Sequence, residues 1–228
     1  TACIQEGIKP VIGSEVYVSP RTRFDKSPTY DKKPYHLVLI AKNMQGYLEL
    51  SEIVSISYQE GFYYKPRVDK DLLREYASGG NLIALSACMS GEVASFILGK
   101  NFDLATKSAL EYRDIFGEGN FYLELQDHKL SEQKEINSKL IDISRRHKIP
   151  LIATNDVHYI KREHSFFHDV LLCVGTGNKL NDKDRLRYPT SEFYLKSPGE
   201  MMDLFSYAPE SIENSLRIVE DCNIHFSF

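Results

Sequence analysis

The segment Ile149-Pro150-Leu151-Ile152-Ala153-Thr154-Asn155-Asp156-Val157-His158 sets the tightest limit on how this chain folds. Pro150 to Ala153 is a short apolar run of the kind that forms a strand buried on both faces, as in parallel sheets covered by helices. The run breaks into a polar burst in which Asp156 and His158 stand two residues apart. In an extended segment such a pair points to one side. A carboxylate and an imidazole would then share a face at the carboxyl end of a buried strand, which is half of a divalent-metal site. The alternative is a surface loop holding Asp and His by accident.

Similar runs recur along the chain and alternate with helical patterns. Residues 10–18 (PVIGSEVYV) are β-branched-rich and carry Glu15, with Gly13 marking a close approach of backbone or ligand. A carboxylate in a buried strand is costly unless paired or bound to a cation; an outward-facing Glu on an edge strand is the bland reading. After a polar, proline-containing loop at 19–34, His36 starts a second strand, 35–41, where a satisfied core histidine competes with a ligand. Leu82 to Cys88 is the third strand, with Cys88 at its end and a helix expected from Ser90; the thiol is either poised by that helix terminus or a small buried hydrophobe. Residues 121–126 form the fourth and lead into Asp127-His128, and 193–195 form a last short strand. Helices are expected at about 43–60, 70–77 with Asp69 as N-cap, 102–116, 131–147, 163–174, from Ser197-Pro198, and 209–221. The polar excursion 175–192 contains an isolated GTG, too short for a phosphate loop.

Totals narrow the function. The 228 residues suit one large α/β domain or two small ones. A formal charge of −4 gives no basic footprint for duplex binding. Four scattered cysteines form no CxxC pair, which points to a reducing cytoplasm, and no apolar run is long enough for a membrane span. The opening TACIQEG reads as the last turns of a helix closed by Gly7, so the chain is expected to be a piece of a longer protein.

Glu15, His36, Cys88, Asp156 and His158 thus fall at successive strands and offer oxygen, nitrogen and sulfur donors suited to Zn²⁺, Mn²⁺ or Fe²⁺. The segments GIKPVIGSEVYVSP, HLVLIAKNMQGYLEL, SACMSGEVA, FYLELQDH, IPLIATNDVHYI, HDVLLCVGTG and FYLKSPGEM, in this order, resemble the PHP (polymerase and histidinol phosphatase) domain family, in the branch carried by alpha subunits of bacterial replicative DNA polymerase III. The resemblance covers essentially the whole chain. It implies a distorted, TIM-like (β/α) barrel of PHP type with a cluster of up to three metals at its carboxyl-end mouth. Glu15 matches the bridging glutamate, His36 a histidine ligand, Cys88 a position held by His or Cys, and Asp156 with His158 the closing Asp-x-His pair. His128 matches no usual ligand and is expected either to support the ligands from behind them or to be structural. The family's opening His-x-His, a following acidic residue and the next histidine would precede Thr1, so residues 1–228 are expected to be a partial PHP domain lacking its first strands and poorly stable or prone to association when isolated. Residues after about 205 would lead toward a polymerase core, whose palm aspartates bind Mg²⁺.

The implied function is a part of a DNA-directed DNA polymerase, with DNA and the other holoenzyme subunits as partners. A metal-dependent 3′–5′ exonuclease or phosphoesterase site would use Glu15, Asp156 and His158. A metal-stabilised structural domain is the first alternative, and a stand-alone PHP phosphatase the second.

Overall fold

One strand of the sheet runs against all the others, and that reversal positions the site. The computed structural model describes residues 2–226, so the expected helical placement of Thr1 lies outside the described residues. A short helix α1 (Ala2–Gln5) precedes β1 (Gly13–Val18), and residues 19–34 connect it to β2 (Tyr35–Ala41) without a helix. Then follow α2 (Met44–Gln59), β3 (Arg67–Val68), α3 (Lys70–Ala77), β4 (Leu82–Leu85), α4 (Glu92–Leu98), α5 (Phe102–Phe116), β5 (Phe121–Leu125), α6 (Ser131–His147) and β6 (Leu151–Ala153). A 3₁₀ turn (Arg162–His164), α7 (Ser165–Thr176), α8 (Pro198–Leu204) and α9 (Pro209–Asp221) complete the described chain.

The sheet has the order β3-β1-β2-β4-β5-β6. Only β2 pairs antiparallel to its neighbours. With no crossover helix between β1 and β2, the chain returns as a long hairpin, the connection that antiparallel strands permit. The mixed α/β architecture agrees with the PHP-type fold class read from the sequence.

Alternation along the strands gives the sheet two apolar faces. Val16, Val18, Leu37, Leu39, Leu82, Ala84, Leu123 and Leu151 join residues of α2–α6 in the main core. The other side chains, Ile83, Leu85, Tyr122 and Ile152 with Val38 and Ile40, form a smaller cluster closed by Ile218 and Cys222 of the α9 end. Both faces of β4, β5 and β6 are therefore buried, which is why these strands read as unbroken apolar runs. Caps fall where the sequence places them: Asp69 accepts from the Leu72 amide, and Ser197 and Glu200 form a reciprocal capping box.

Two expectations need correction. Residues 193–195 form no strand of their own; Tyr194 makes only an isolated bridge to Tyr159, because the short segment zips onto the irregular loop after β6 rather than onto the sheet. The 19–34 loop is not simply exposed. Arg67, fully buried, donates to the carbonyls of Gly61, Arg23 and Asp25, and the carboxylate of buried Asp31 accepts from Arg21 and the Ser27 amide. A buried guanidinium is tolerated here because backbone oxygens receive its donors.

Candidate metal centre

His36 stands at the amino end of β2, and the reversal of that strand places it at the sheet end where the other strands finish. Cross-strand pairing of Glu15 with Val38 and of Tyr17 with His36 puts Glu15 and His36 on one face. His36 Nδ1 lies 2.8 Å from Glu15 Oε1 and 3.7 Å from Cys88 Sγ. Gly13 makes the close backbone approach expected of it: a Cβ there would sit 2.6 Å from Leu39 O. Glu15 is not the buried carboxylate of the sequence argument, since 44% of its side chain is exposed. Its partner, rather than a burial penalty, distinguishes it.

Cys88 lies just past β4, in a turn where Ala87 takes φ +62°. The His36 amide donates to Ser90 O at 3.0 Å, and the Gly91 amide to Cys88 O at 2.8 Å, tying this turn to the start of β2. Only glycine fits at 91, because a Cβ would lie 2.0 Å from Ser86 O. A ring nitrogen facing a thiol and a carboxylate keeps a proton. His36 is pushed up to about 10, first by the hydrogen bond with Cys88 and then by Glu15, against the opposing effect of burial. The hydrogen bond from His36 in turn holds Glu15 below its ordinary range.

Asp156 and His158 also come together, by a different geometry from the one expected. Asp156 takes φ +43°, a left-handed conformation that Asp tolerates better than most residues, so the extended period-two arrangement ends there. His158 Nδ1 instead lies 2.8 Å from Asp156 O and 4.0 Å from its Oδ1.

His128 is structural, as expected, and holds this turn in place. Fully buried, it stacks on Phe193 at 4.0 Å with its ring nearly parallel. Its Nδ1 accepts from Gln133 Nε2 and its Nε2 donates to Asn155 O, each at 2.8 Å. That pairing assigns a neutral ring protonated at Nε2, and burial lowers its pKa accordingly. The bond to Asn155 fixes the residue immediately before Asp156.

Two neighbours escaped sequence reasoning. Glu124, buried on β5, accepts from Thr154 Oγ1 and Gln126 Nε2 through Oε1, while its Oε2 is buried without a partner. Burial raises its pKa above the ordinary carboxylate value. An acidic residue among FYLEL was visible, but which face it took was not. Tyr188, from the polar 175–192 excursion, has its hydroxyl 2.6 Å from His158 Nε2. Burial, followed by electrostatic interaction with Asp156, Cys88 and Glu15, pushes it up to about 12. No periodicity marks Tyr188, because irregular chain delivers it.

The donor set of carboxylates, imidazoles and a thiol fits a borderline divalent ion. Its arrangement is incomplete: among the described residues, no three His, Cys, Asp or Glu side chains are grouped so as to hold a metal. The donors satisfy one another instead, with the His36 proton between the two acidic groups.

Comparison with known proteins decides the family. The PHP domain profile matches residues 1–128, more than half of the chain. The chain belongs to the PHP-domain family. It is 45% identical over 223 residues to the DNA polymerase III subunit alpha of Treponema pallidum, covering 97% of this chain and 19% of that protein. The same-named protein of Borreliella burgdorferi is 45% identical over 218 residues, covering 95% and 19%. That of Thermus aquaticus is 40% identical over 223 residues, covering 96% and 18%. The chain thus spans about a fifth of the length of these relatives. Among the described residues, no helix is long and apolar enough to cross a membrane, and none of the four cysteines is in a disulfide.

Proposed function

We propose that this PHP domain serves a cytoplasmic, replicative DNA polymerase III alpha subunit and contributes Glu15, His36, Cys88, Asp156 and His158 to a divalent-metal phosphoesterase site acting as a 3′–5′ exonuclease. The observation that carries the reading is the convergence of Glu15 and Cys88 on the His36 Nδ1, at the sheet end that also bears the Asp156–His158 turn. Zn²⁺ or Mn²⁺ would supply Lewis-acid activation of water and neutralise charge on the phosphodiester. The chain's own part is positional. Glu15 and His36 are set by strand pairing, Cys88 by the Gly91 turn, and Asp156 by the anchored left-handed turn. Nucleotide transfer, with Mg²⁺, would belong to the rest of such a polymerase, whose partners would be DNA and the other holoenzyme subunits.

The test uses the intact protein and its Asp156→Ala, His158→Ala double variant. Bound Zn²⁺ or Mn²⁺ and 3′–5′ digestion of single-stranded DNA, both lost in the variant, are expected; digestion equal in the two proteins would refute the reading. A second reading, a structural metal-binding domain supporting the polymerase core or a proofreading subunit, is favoured by the incomplete grouping of donors among the described residues. It predicts bound metal without digestion.

A further inference from the structure

Two cavities meet at the segment Arg187-Tyr188-Pro189. One, about 360 Å³, is lined by Cys88 and Asp156 of the candidate centre. The other, about 690 Å³, lies beyond the Tyr188 ring and is walled by Tyr159, Phe166 and His168. Arg187, Tyr188 and Pro189 line both. The second cavity contains no candidate ligand, and its volume lies in the range that accepts a small organic ligand.

Its lining has a specific chemistry. The His168 ring lies 4.9 Å from Tyr188 and 5.4 Å from Tyr159, and Phe166 is 59% exposed on the same wall. Flat rings left open to a cavity suit another flat ring. Asp169, a carboxylate of that wall, is held by Arg185 at 2.5 and 2.6 Å, so its charge is largely neutralised. Arg187 is exposed and forms no ion pair or hydrogen bond among the described residues. Its charge partner is Asp169, already held by Arg185, so among the described residues the Arg187 guanidinium stands unpaired by any hydrogen bond, at the junction between an aromatic chamber and the space beside Asp156.

We propose that this chamber is a subsite for single-stranded DNA, in which a base stacks among Phe166, His168 and Tyr188 while Arg187 binds the phosphate leading from that base toward the candidate centre. Stacking on aromatic side chains combined with a cation on the backbone is how single strands are held without reading sequence. A duplex presents no free base faces, so the subsite takes only frayed or unpaired ends. The inference rests on the exonuclease reading for its substrate, yet its own geometry requires no metal.

The experiment is photo-crosslinking in EDTA. The intact protein is irradiated with oligodeoxynucleotides carrying 5-iodouracil at one of the last three positions, and the crosslinked peptides are mapped. Crosslinks to Phe166, His168 or Tyr188 are expected, falling roughly tenfold in Arg187→Ala and partly restored in Arg187→Lys, as loss of one phosphate contact requires. Crosslinks from none of these positions to the three rings, or a yield unchanged by Arg187→Ala, would overturn the proposal. Crosslinks at the rings without metal-dependent digestion would uphold the subsite and remove the exonuclease reading. Digestion without such crosslinks would do the reverse.

Discussion

Replacing His128 by Phe tests what holds the Asp156 turn. The substitution keeps a flat ring against Phe193, so the stack at 4.0 Å and most of the buried volume remain. It removes both ring-nitrogen bonds, the one to Asn155 O and the one from Gln133 Nε2. Gln133 retains its bond from the His128 amide, and Asn155 retains Lys196 on its Oδ1. The local loss is therefore a carbonyl deprived of its donor and a buried amide N–H deprived of its acceptor, each costing about 1–3 kcal/mol, and the carbonyl's share falls on the Asp156 turn. At 1.4 kcal/mol per tenfold, amide exchange at residues 155–158 should quicken by roughly 5- to 150-fold, in the subglobal opening regime. Hydrogen–deuterium exchange followed by mass spectrometry of the intact protein reads this peptide separately from the rest. His128→Ala should add the loss of the stack and spread the acceleration to Phe193. If His128→Phe left exchange at 155–158 unchanged while His128→Ala raised it, packing and not the imidazole bonds would anchor the turn, and the reasoning would fail.

Other expectations follow from the same geometry. The His36 imidazole, titrated by NMR in metal-free protein, should show a pKa near 10, and Cys88→Ala should lower it, because the thiol is the largest cause of the rise. For stability the sign is fixed: His36 is raised above its ordinary 6.5, so its contribution is full below about 6.5 and is lost as pH rises through about 10. Glu15 is lowered below its ordinary 4.5, so its contribution is present above that value and lost as pH falls through the depressed one. The pH-dependent part of the destabilisation caused by His36→Ala, read from denaturant midpoints, should therefore be greatest between about pH 5 and 6.5 and be lost above about 10, leaving the loss of the ring's packing. Glu124 has a raised pKa, so Glu124→Gln should leave stability little changed in acid and increase it at pH 8; a loss at pH 8 would show that the carboxylate is needed charged. Arg67→Ala strips three buried loop carbonyls of their donors and should cost at least about 3 kcal/mol, with limited proteolysis cutting first within residues 19–34.

Most of the fold was legible because burial on both faces writes itself into sequence. The runs 82–85, 121–125 and 151–153 are strands with every residue buried, and the helices between them keep their polar faces outward. Strand direction was not legible. Nothing in Tyr35–Ala41 says that it runs against its neighbours; that follows from the helix-free loop before it, whose order depends on Arg67, a residue that reads as part of a polar connector.

The five candidate ligands were legible as residue types, but what joins Glu15 and Cys88 to His36, and Asp156 to His158, was not. The sequence argument for Asp156 and His158 used a pleat that ends at Ala153, whereas the structure joins them through a left-handed residue. Glu15 was singled out for a burial it does not have, yet it stands beside His36 because pairing with an antiparallel strand sets their register. Ala87 and Asp156 carry the unusual backbone on which Cys88 and the Asp156–His158 pair are mounted, and Gly91 permits the close approach beside Cys88. Strain of this kind persists only where surrounding bonds over-determine it. His128 on one side and the His36–Ser90 bond on the other provide that constraint. The anchors thus position the candidate donors. A substitution at His128 or Gly91 should accordingly disable the centre with every candidate ligand still in place.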